Sequence, residues 1–323
     1  MQKVLITGGV GFIGSHLGDG LVKNGYDVIA IDNEATGFLT NLNSRAIFIK
    51  GDVRDEKFLE KIFKKYKFDV VLHLAAQVSN IKSYESPQED LSTNVEGTIN
   101  VLKMCLKHKV KRLLYASSMA VYGQPEKMPI TEKTCCVPLS YYGIGKYAAE
   151  RYVINTAQRK DLNFDFNVTA FRMFNVYGER QSLDNPYQGV VSVFISNLLR
   201  NEPITLYGTG EHSRDFIHVN DIVSAWIKAI NNKKTFGEVI NLGTGKDVTI
   251  NQLIDVCLSA FGKNRQSYKI IKKPTLTGDQ VCVRADTSKA KKLLNWSTKI
   301  DFNQGMKKTI EWAIKKEKGE IER

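Results

Sequence analysis

Val4-Leu5-Ile6-Thr7-Gly8-Gly9-Val10-Gly11-Phe12-Ile13-Gly14 passes from an apolar strand into a glycine turn and on toward a helix. Gly8 permits the tight turn, Gly11 lets the backbone approach a pair of phosphates, and Gly14 lets the helix pack closely on the strand. Unpaired amides at the start of that helix favour an anion. The stretch therefore predicts a turn that cradles a dinucleotide pyrophosphate, although glycines also serve ordinary turns. Downstream, the apolar run Asp27-Val28-Ile29-Ala30-Ile31 ends at Asp32, whose carboxylate can accept hydrogen bonds from both ribose hydroxyls. The same negative charge repels a 2′-phosphate, which favours NAD over NADP. A turn aspartate beside Asn33 is the plainer alternative.

Working outward, strand-like runs at 46–50, 69–74, 112–117 and 167–172 alternate with helical stretches at 55–66, 87–108 and 142–159. That alternation predicts an α/β fold with a doubly wound parallel Rossmann sheet. Gly18 and Gly20 are poor helix residues inside the first helix, so close packing is expected there. Beyond Asn175 the pattern breaks into shorter pieces, with turns at Asn185-Pro186, Tyr207-Gly208-Thr209-Gly210 and Gly243-Thr244-Gly245. We expect a NAD-binding Rossmann domain over 1–175, with return segments near 215–245, and a smaller α/β substrate-binding lobe made mainly of 176–323. In that lobe one helix starts after Thr249 and stops at Gly262. Another runs from Asp301 to about Lys318, with Gln304 placed for a capping box and Met306, Ile310, Ala313 and Ile314 on one face.

A chain of 323 residues buries one large core or two smaller ones. No apolar stretch approaches the length of a membrane span, and Met1-Gln2-Lys3 leads straight into the first strand, so neither a membrane anchor nor a signal peptide is expected. A cytoplasmic location is the expectation. The five cysteines are an odd number without metal-ligand spacing, which predicts reduced, incidental thiols and no metal. A net charge of +12 raises the question of nucleic acid, but the lysines are scattered or sit in pairs on solvated helix faces, so no nucleic-acid partner is expected.

A dinucleotide fold needs a group that moves a proton while hydride moves, and Tyr141-Tyr142-Gly143-Ile144-Gly145-Lys146 offers one. Tyr142 and Lys146 are four apart, on one helix face, where an ammonium favours the phenolate and lowers the tyrosine toward neutrality. Tyr142 is then a candidate general base. With TGGVGFIG, IDN, GDVRD, HLAAQVS, STNVEGT, ASSMAVYG, PLSYYGIGKYAAE, FRMFNVYGE, SRDFIHVND, INLGTG and RADTSKAKKLLNW occurring in that order, the chain resembles the extended short-chain dehydrogenase/reductase family nearly end to end. The likeness is greatest to the nucleotide-sugar 4-epimerases and their dehydratase relatives.

The resemblance implies an NAD-dependent epimerase that inverts C4 of a nucleotide-linked hexose or N-acetylhexosamine, UDP-linked, through a 4-keto intermediate. A keto-sugar reductase, a 2-epimerase or a dehydratase are the alternatives. It implies cofactor contacts at Gly8, Gly11, Phe12, Ile13, Gly14, Asp32, Asn33, Asp52, Val53, Leu74, Ala75, Ala76, Asn94, Tyr142, Lys146 and Phe174, with Asp52 and Val53 at the adenine. Ser118 matches the catalytic serine or threonine, its hydroxyl on the sugar oxygen beside Tyr142, and strand-end capping remains the alternative for Ser117. Ser79, Ser118, Asn175, Gly189, Val190, Thr205, Tyr207, Arg214 and Arg284 fall at substrate positions. Arg214 suits a phosphate because its fixed donors match phosphate oxygens, and a surface salt bridge to Asp215 is the duller account. A homodimer is implied, joined through the helices after Pro87 and Tyr142, with Val153 facing outward.

Two stretches depart from the family. Dehydratases carry an acidic pair directly after the catalytic hydroxyl, whereas Met119 and Ala120 stand here, and neither moves a proton. The arginine usual near 276–281 is replaced by Leu276 and Val281, leaving Arg284, Lys272 or Lys273 as substitutes. Val283 falls where hexose-only epimerases tend to have a tyrosine, which leaves room for an N-acetylated sugar.

Overall fold

The structure, a computed structural model, describes residues 1–185, 189–275 and 282–321. Pro186 of the expected Asn185-Pro186 turn, and the departures at Leu276 and Val281, lie outside the described residues. Six strands come first: β1 (Lys3–Thr7), β2 (Asp27–Asp32), β3 (Ile47–Lys50), β4 (Val70–His73), β5 (Arg112–Ser118) and β6 (Asn167–Met173). Short strands β7 (Asn175–Tyr177), β8 (Ile204–Tyr207), β9 (Ser213–Arg214) and β10 (Phe216–His218) precede β11 (Glu238–Leu242), β12 (Val248–Thr249) and β13 (Ile270–Lys273). Among the described residues, seven strands form one parallel sheet in the order β11-β6-β5-β4-β1-β2-β3. The chain leaves β1 toward β2 on one side and comes back to β4 on the other, so a crevice opens beyond the carboxyl ends of β1 and β4.

The helices are α1 (Phe12–Lys23), α2 (Glu56–Tyr66), α3 (Asn80–Glu85), α4 (Pro87–Leu91), α5 (Gly97–Lys107), α6 (Tyr141–Ala157), α7 (Val190–Leu199), α8 (Val219–Ala229), α9 (Ile250–Ala260), α10 (Ser288–Leu294) and α11 (Phe302–Glu317). The inner strands of the sheet are buried on both faces and sort their side chains by alternation. Val4 and Ile6 join Leu17, Leu21, Ile222 and Trp226 beneath α1 and α8, while Leu5 joins Leu59, Phe63, Val101 and Val153 beneath α2, α5 and α6. A third cluster, with Phe194, Ile204, Leu253, Met306 and Ile310, fills the lobe built on α7, α9 and α11.

Local chemistry explains the boundaries. Asp55 caps α2 by accepting the Phe58 N–H, and Thr249 and Gln252 make a reciprocal capping box at α9. At α11 Asp301 accepts the Gln304 N–H. Of the two glycines in α1, Gly20 is the close approach: a Cβ there would lie 2.7 Å from Val223 and 2.8 Å from Ile227 of α8, whereas at Gly18 the nearest atom is 3.9 Å away. The helix expected over 87–108 is interrupted by a π-helical segment, Ser92–Glu96, which joins α4 to α5 and contains the buried Asn94.

The outward position expected for Val153 is wrong, because Val153 is fully buried. Helix α6 buries Lys146 and Glu150 beside Ala149, Val153 and Ile154 and exposes Tyr141, Ile144 and Tyr152, so polarity does not mark its core face.

Candidate active site

The glycine turn forms as its residues require. Gly8 has φ +71°, and a Cβ on it would lie 2.9 Å from the Ala75 nitrogen. One on Gly14 would lie 2.0 Å from the Gly8 oxygen, so here the helix closes on the turn itself. Gly37 belongs to the same cradle, 2.9 Å from the Gly11 nitrogen by the same measure, although no local pattern in the sequence singled it out. Phe12 and Ile13 open α1, both partly exposed.

Asp32 ends β2 and accepts the Val10 N–H at 3.2 Å and the Glu34 N–H at 2.8 Å, while burial raises its carboxyl above the usual range. Asn33 donates to Asp52 at 2.8 Å, and Arg54 grips the same carboxylate at 2.9 and 2.7 Å, holding it at about 2. Val53 is buried, its carbonyl accepting from Asn100.

Beneath this cradle runs a line of buried polar groups. The Thr7 hydroxyl accepts the Leu74 and Ala75 N–H groups, both at 3.1 Å, and lies 2.6 Å from His73 Nδ1. His73 Nε2 lies 3.0 Å from the Thr98 hydroxyl, which donates to the Asn94 carbonyl at 2.7 Å. Because the single Thr98 hydrogen is engaged, His73 Nε2 must be the donor, Nδ1 the acceptor, and Thr7 donates to it. Burial lowers His73 to about 3 and keeps it neutral.

Asn94 accepts the Gln77 N–H at 2.9 Å and donates to the Gln77 carbonyl and to Asp90, both at 3.0 Å. Its side chain therefore fixes the 74–77 loop, in which Leu74, Ala75 and Ala76 remain partly exposed. Ser79, expected on the substrate, is buried and caps α3 through the Lys82 N–H. Thr7, His73, Gln77, Asp90 and Thr98 escaped sequence reasoning; a histidine closing an apolar strand was the one available signal.

Ser140 caps α6 by accepting the Gly143 N–H at 3.1 Å and donates to Asn80, which sets the first turn of the helix. Tyr142 and Lys146 follow on one face, Tyr142 partly exposed and Lys146 buried. Burial raises the Tyr142 phenol above its ordinary value, a hydrogen bond with Ser118 opposes the rise, and the Asp90 charge adds to it. The expected lowering of Tyr142 by Lys146 therefore does not prevail. Lys146 Nζ lies 4.4 Å from the Tyr115 ring centroid, and burial pulls the amine down to about 7 while Asp90 and Glu150 oppose that fall.

Ser118 also accepts the Ala120 N–H at 3.2 Å. Ser117 does not cap the strand end: it donates to Glu150 at 2.6 Å, and Glu150 in turn meets Arg172 at 2.9 and 2.5 Å.

On the substrate side, Asn175 starts β7 and donates through Nδ2 to the Asp215 carbonyl at 3.3 Å. Asp215 is buried and accepts from Thr244, Gly245 and Ala285 at 2.6–3.0 Å. Arg214 is half-buried and donates to the Ser213 carbonyl. Gly189 caps α7, Val190 begins it, and Thr205 and Tyr207 lie on β8 with Tyr207 exposed. Arg284 lies 3.5 Å from Asp247, and Lys272 and Lys273 sit exposed on β13.

Phe174 and Val283 are core residues, packed with Met119, Tyr122 and Ile130. Phe174, expected at the cofactor, is instead almost wholly buried in this cluster. Val283, being wholly buried, does not itself border an open sugar pocket. Ser118 is paired across the sheet with Met173, two residues before β7 begins.

Residues 4–243 match the model of the NAD dependent epimerase/dehydratase family. The chain is 39% identical to a putative UDP-glucose 4-epimerase of Methanocaldococcus jannaschii, over 96% of this chain and 97% of that one. It superposes on a UDP-glucose 4-epimerase of Thermotoga maritima, solved with UDP-glucose, with a TM-score of 0.92 and 36% identity over 98% of this chain and 99% of the other. A UDP-N-acetylglucosamine 4-epimerase of Methanobrevibacter ruminantium, in complex with UDP-N-acetylmuramic acid, gives 0.89 and 32% over 98% and 99%.

Proposed function

The chain belongs to the NAD dependent epimerase/dehydratase family, and we propose that Ser118, Tyr142 and Lys146 carry its inversion of C4 in a UDP-linked hexose or N-acetylhexosamine. It is an NAD-dependent nucleotide-sugar epimerase. The cradle fits that cofactor: turn positions at Gly8, Gly14 and Gly37 have no space for a side chain, and Asp32 closes the ribose end of β2. Bound there, NAD supplies a hydride acceptor and donor beside the sugar C4.

The protein's own part is to hold the sugar and move a proton. The Tyr142 phenolate takes the C4 hydroxyl proton, Ser118 hydrogen-bonds the same oxygen and opposes the rise that burial causes, and Lys146, while protonated, favours the phenolate. Asn175 and Arg214 hold the diphosphate, so that the 4-keto sugar can turn about that linkage and present its other face. Tyr142 then returns the proton. Met119 and Ala120 cannot abstract or donate one, so water is not eliminated from C5 and C6.

The observation that carries this reading is the meeting of Ser118 and Tyr142 beside buried Lys146 at the carboxyl edge of the sheet. Incubation with UDP-galactose and UDP-N-acetylgalactosamine, followed by separation of the sugars, should yield the C4 epimer of at least one. No interconversion of either would defeat the proposal, and stoichiometric consumption of added reduced cofactor would mark a reductase.

Ile81, Tyr84, Leu91, Tyr141, Ile144 and Tyr152 are each about half exposed on α3, α4 and α6, and we propose that this apolar face joins two copies. Leu91→Asp combined with Tyr152→Asp should shift the solution mass to that of one chain, and an unchanged mass would reject this face. We also place the enzyme in the cytoplasm, in keeping with its five free thiols. Recovery from a secreted fraction would reject that. Among the described residues no helix is long and apolar enough to cross a membrane.

A further inference from the structure

Helix α6 carries a glycine directly before its buried lysine, and glycine is a poor residue inside a helix. Its neighbour across the interface supplies a reason. A Cβ on Gly145 would stand 3.0 Å from Asp90 Oδ2, tighter than an ordinary contact, so that oxygen rests against bare α6 backbone. The other oxygen, Oδ1, accepts from Gln77 Nε2 at 2.7 Å and Asn94 Nδ2 at 3.0 Å. Asp90 is 2% exposed, and among the described residues no cationic nitrogen lies within 4.0 Å of it. Its carboxylate is thus buried, oriented by two neutral amides and left without a paired charge.

We infer that Asp90 is a positioning residue for the reaction: its carboxylate, admitted by glycine at 145, is the counter-charge of Lys146. The charged and titratable groups that face Lys146 are Asp90 from α4, Glu150 and Tyr142 from α6, His73 from β4 and Tyr115 from β5. His73 is neutral, and the Tyr115 phenol stays protonated because burial raises it. Glu150 is balanced by Arg172 and Ser117. Asp90 is the remaining carboxylate: burial raises it while the Gln77 and Asn94 amides and Lys146 favour its charge, and it opposes the loss of the lysine proton more than Glu150 does. It acts on Tyr142 as well, holding the phenol protonated. Neutralising it lowers both groups, so Lys146 gives up its proton at a lower pH and less charge opposes the phenolate. Asn94, at the π-helical segment, and Gln77 fix Asp90 and the 74–77 loop together, so the counter-charge and the cofactor wall share one support.

The inference rests on Lys146 as the reaction's lysine, and its test separates the two ideas. In enzyme purified with its cofactor and labelled with [15N]lysine, the Lys146 Nζ resonance is assigned by its loss in Lys146→Met and titrated in wild type and in Asp90→Asn, which keeps the Oδ1 acceptor. The midpoint should fall by about one pH unit. The alkaline limb of kcat for epimerisation should fall with it, while KM changes by less than about twofold. Gly145→Ala, which crowds Oδ2, should move the midpoint the same way by less.

An unmoved midpoint in Asp90→Asn overturns the inference, and so does a uniform drop in kcat at every pH without displacement of the limb. Should Asp90→Asn fail to fold, an unmoved midpoint in Gly145→Ala overturns it. A wild-type enzyme that converts no nucleotide sugar defeats the epimerase reading and leaves the titration to decide the coupling alone.

Discussion

Arg112 and Arg172 lie on neighbouring strands of one sheet, both buried, and the fold treats them in opposite ways. Arg172, near the carboxyl end of β6, meets Glu150 through two nitrogens and lies 4.7 Å from the Tyr122 ring centroid. Burial would lower it, but the Glu150 hydrogen bond and charge outweigh burial and hold it well above its ordinary value. Arg112, at the start of β5, donates instead to the Ile230 and Ala229 carbonyls and the Thr169 and Thr235 hydroxyls at 2.7–3.0 Å. Its Nη1 has no partner, and burial pulls the guanidinium down to about 9.

The difference follows from what each end of the sheet does. At the carboxyl edge, beside the proposed site, Arg172 is balanced directly by Glu150. At the opposite edge the guanidinium serves as a fork of donors that closes the end of α8, where a cation also meets the negative pole of the helix.

The comparison breaks most plainly at the reacting end. Tyr142→Phe should lower kcat by about 10²–10⁴-fold while thermal melting stays near wild type; intact turnover would show that this edge is not where the proton moves. Glu150→Gln should cost about 3–5 kcal/mol in urea denaturation, because it leaves Arg172 buried without its counter-charge. The smallest effect belongs to Arg112→Met, about 1–3 kcal/mol with kcat unchanged, since the unpaired charge leaves together with its donors. A larger loss for Arg112→Met than for Glu150→Gln would reverse the contrast between the two ends.

The elements and their order were legible because strand alternation, caps and glycines act locally. β5 extends one residue past the expected run, and the start of α9 follows from the Thr249 hydroxyl. Residues whose meaning depends on partners far along the chain were not legible. Asp90 reads as an ordinary helix acid until Gly145 comes to lie beside it, and Thr7 reads as turn chemistry until His73 arrives. Helix α6 misled in a particular way: with a lysine and a glutamate inside and tyrosines outside, polarity no longer identifies the core face, and Val153 was assigned outward. The tyrosine and lysine pair was correctly placed on one face, yet spacing alone could not weigh burial against a neighbouring charge.

The last strand of the large sheet, β11, pairs with β6 only after the chain has built α7 and α8. A ribosome that has released the residues through Asn175 has thus made a sheet with a raw edge at β6 and a bare apolar face that awaits Ile222, Ala225 and Trp226. The face is met once Trp226 has emerged, the edge only once Leu242 has. The nascent protein must carry a pairing-competent strand and an unsheltered oily surface through that interval, the circumstance in which chaperones matter most. The long loop closure behind that pairing makes it a late event in folding.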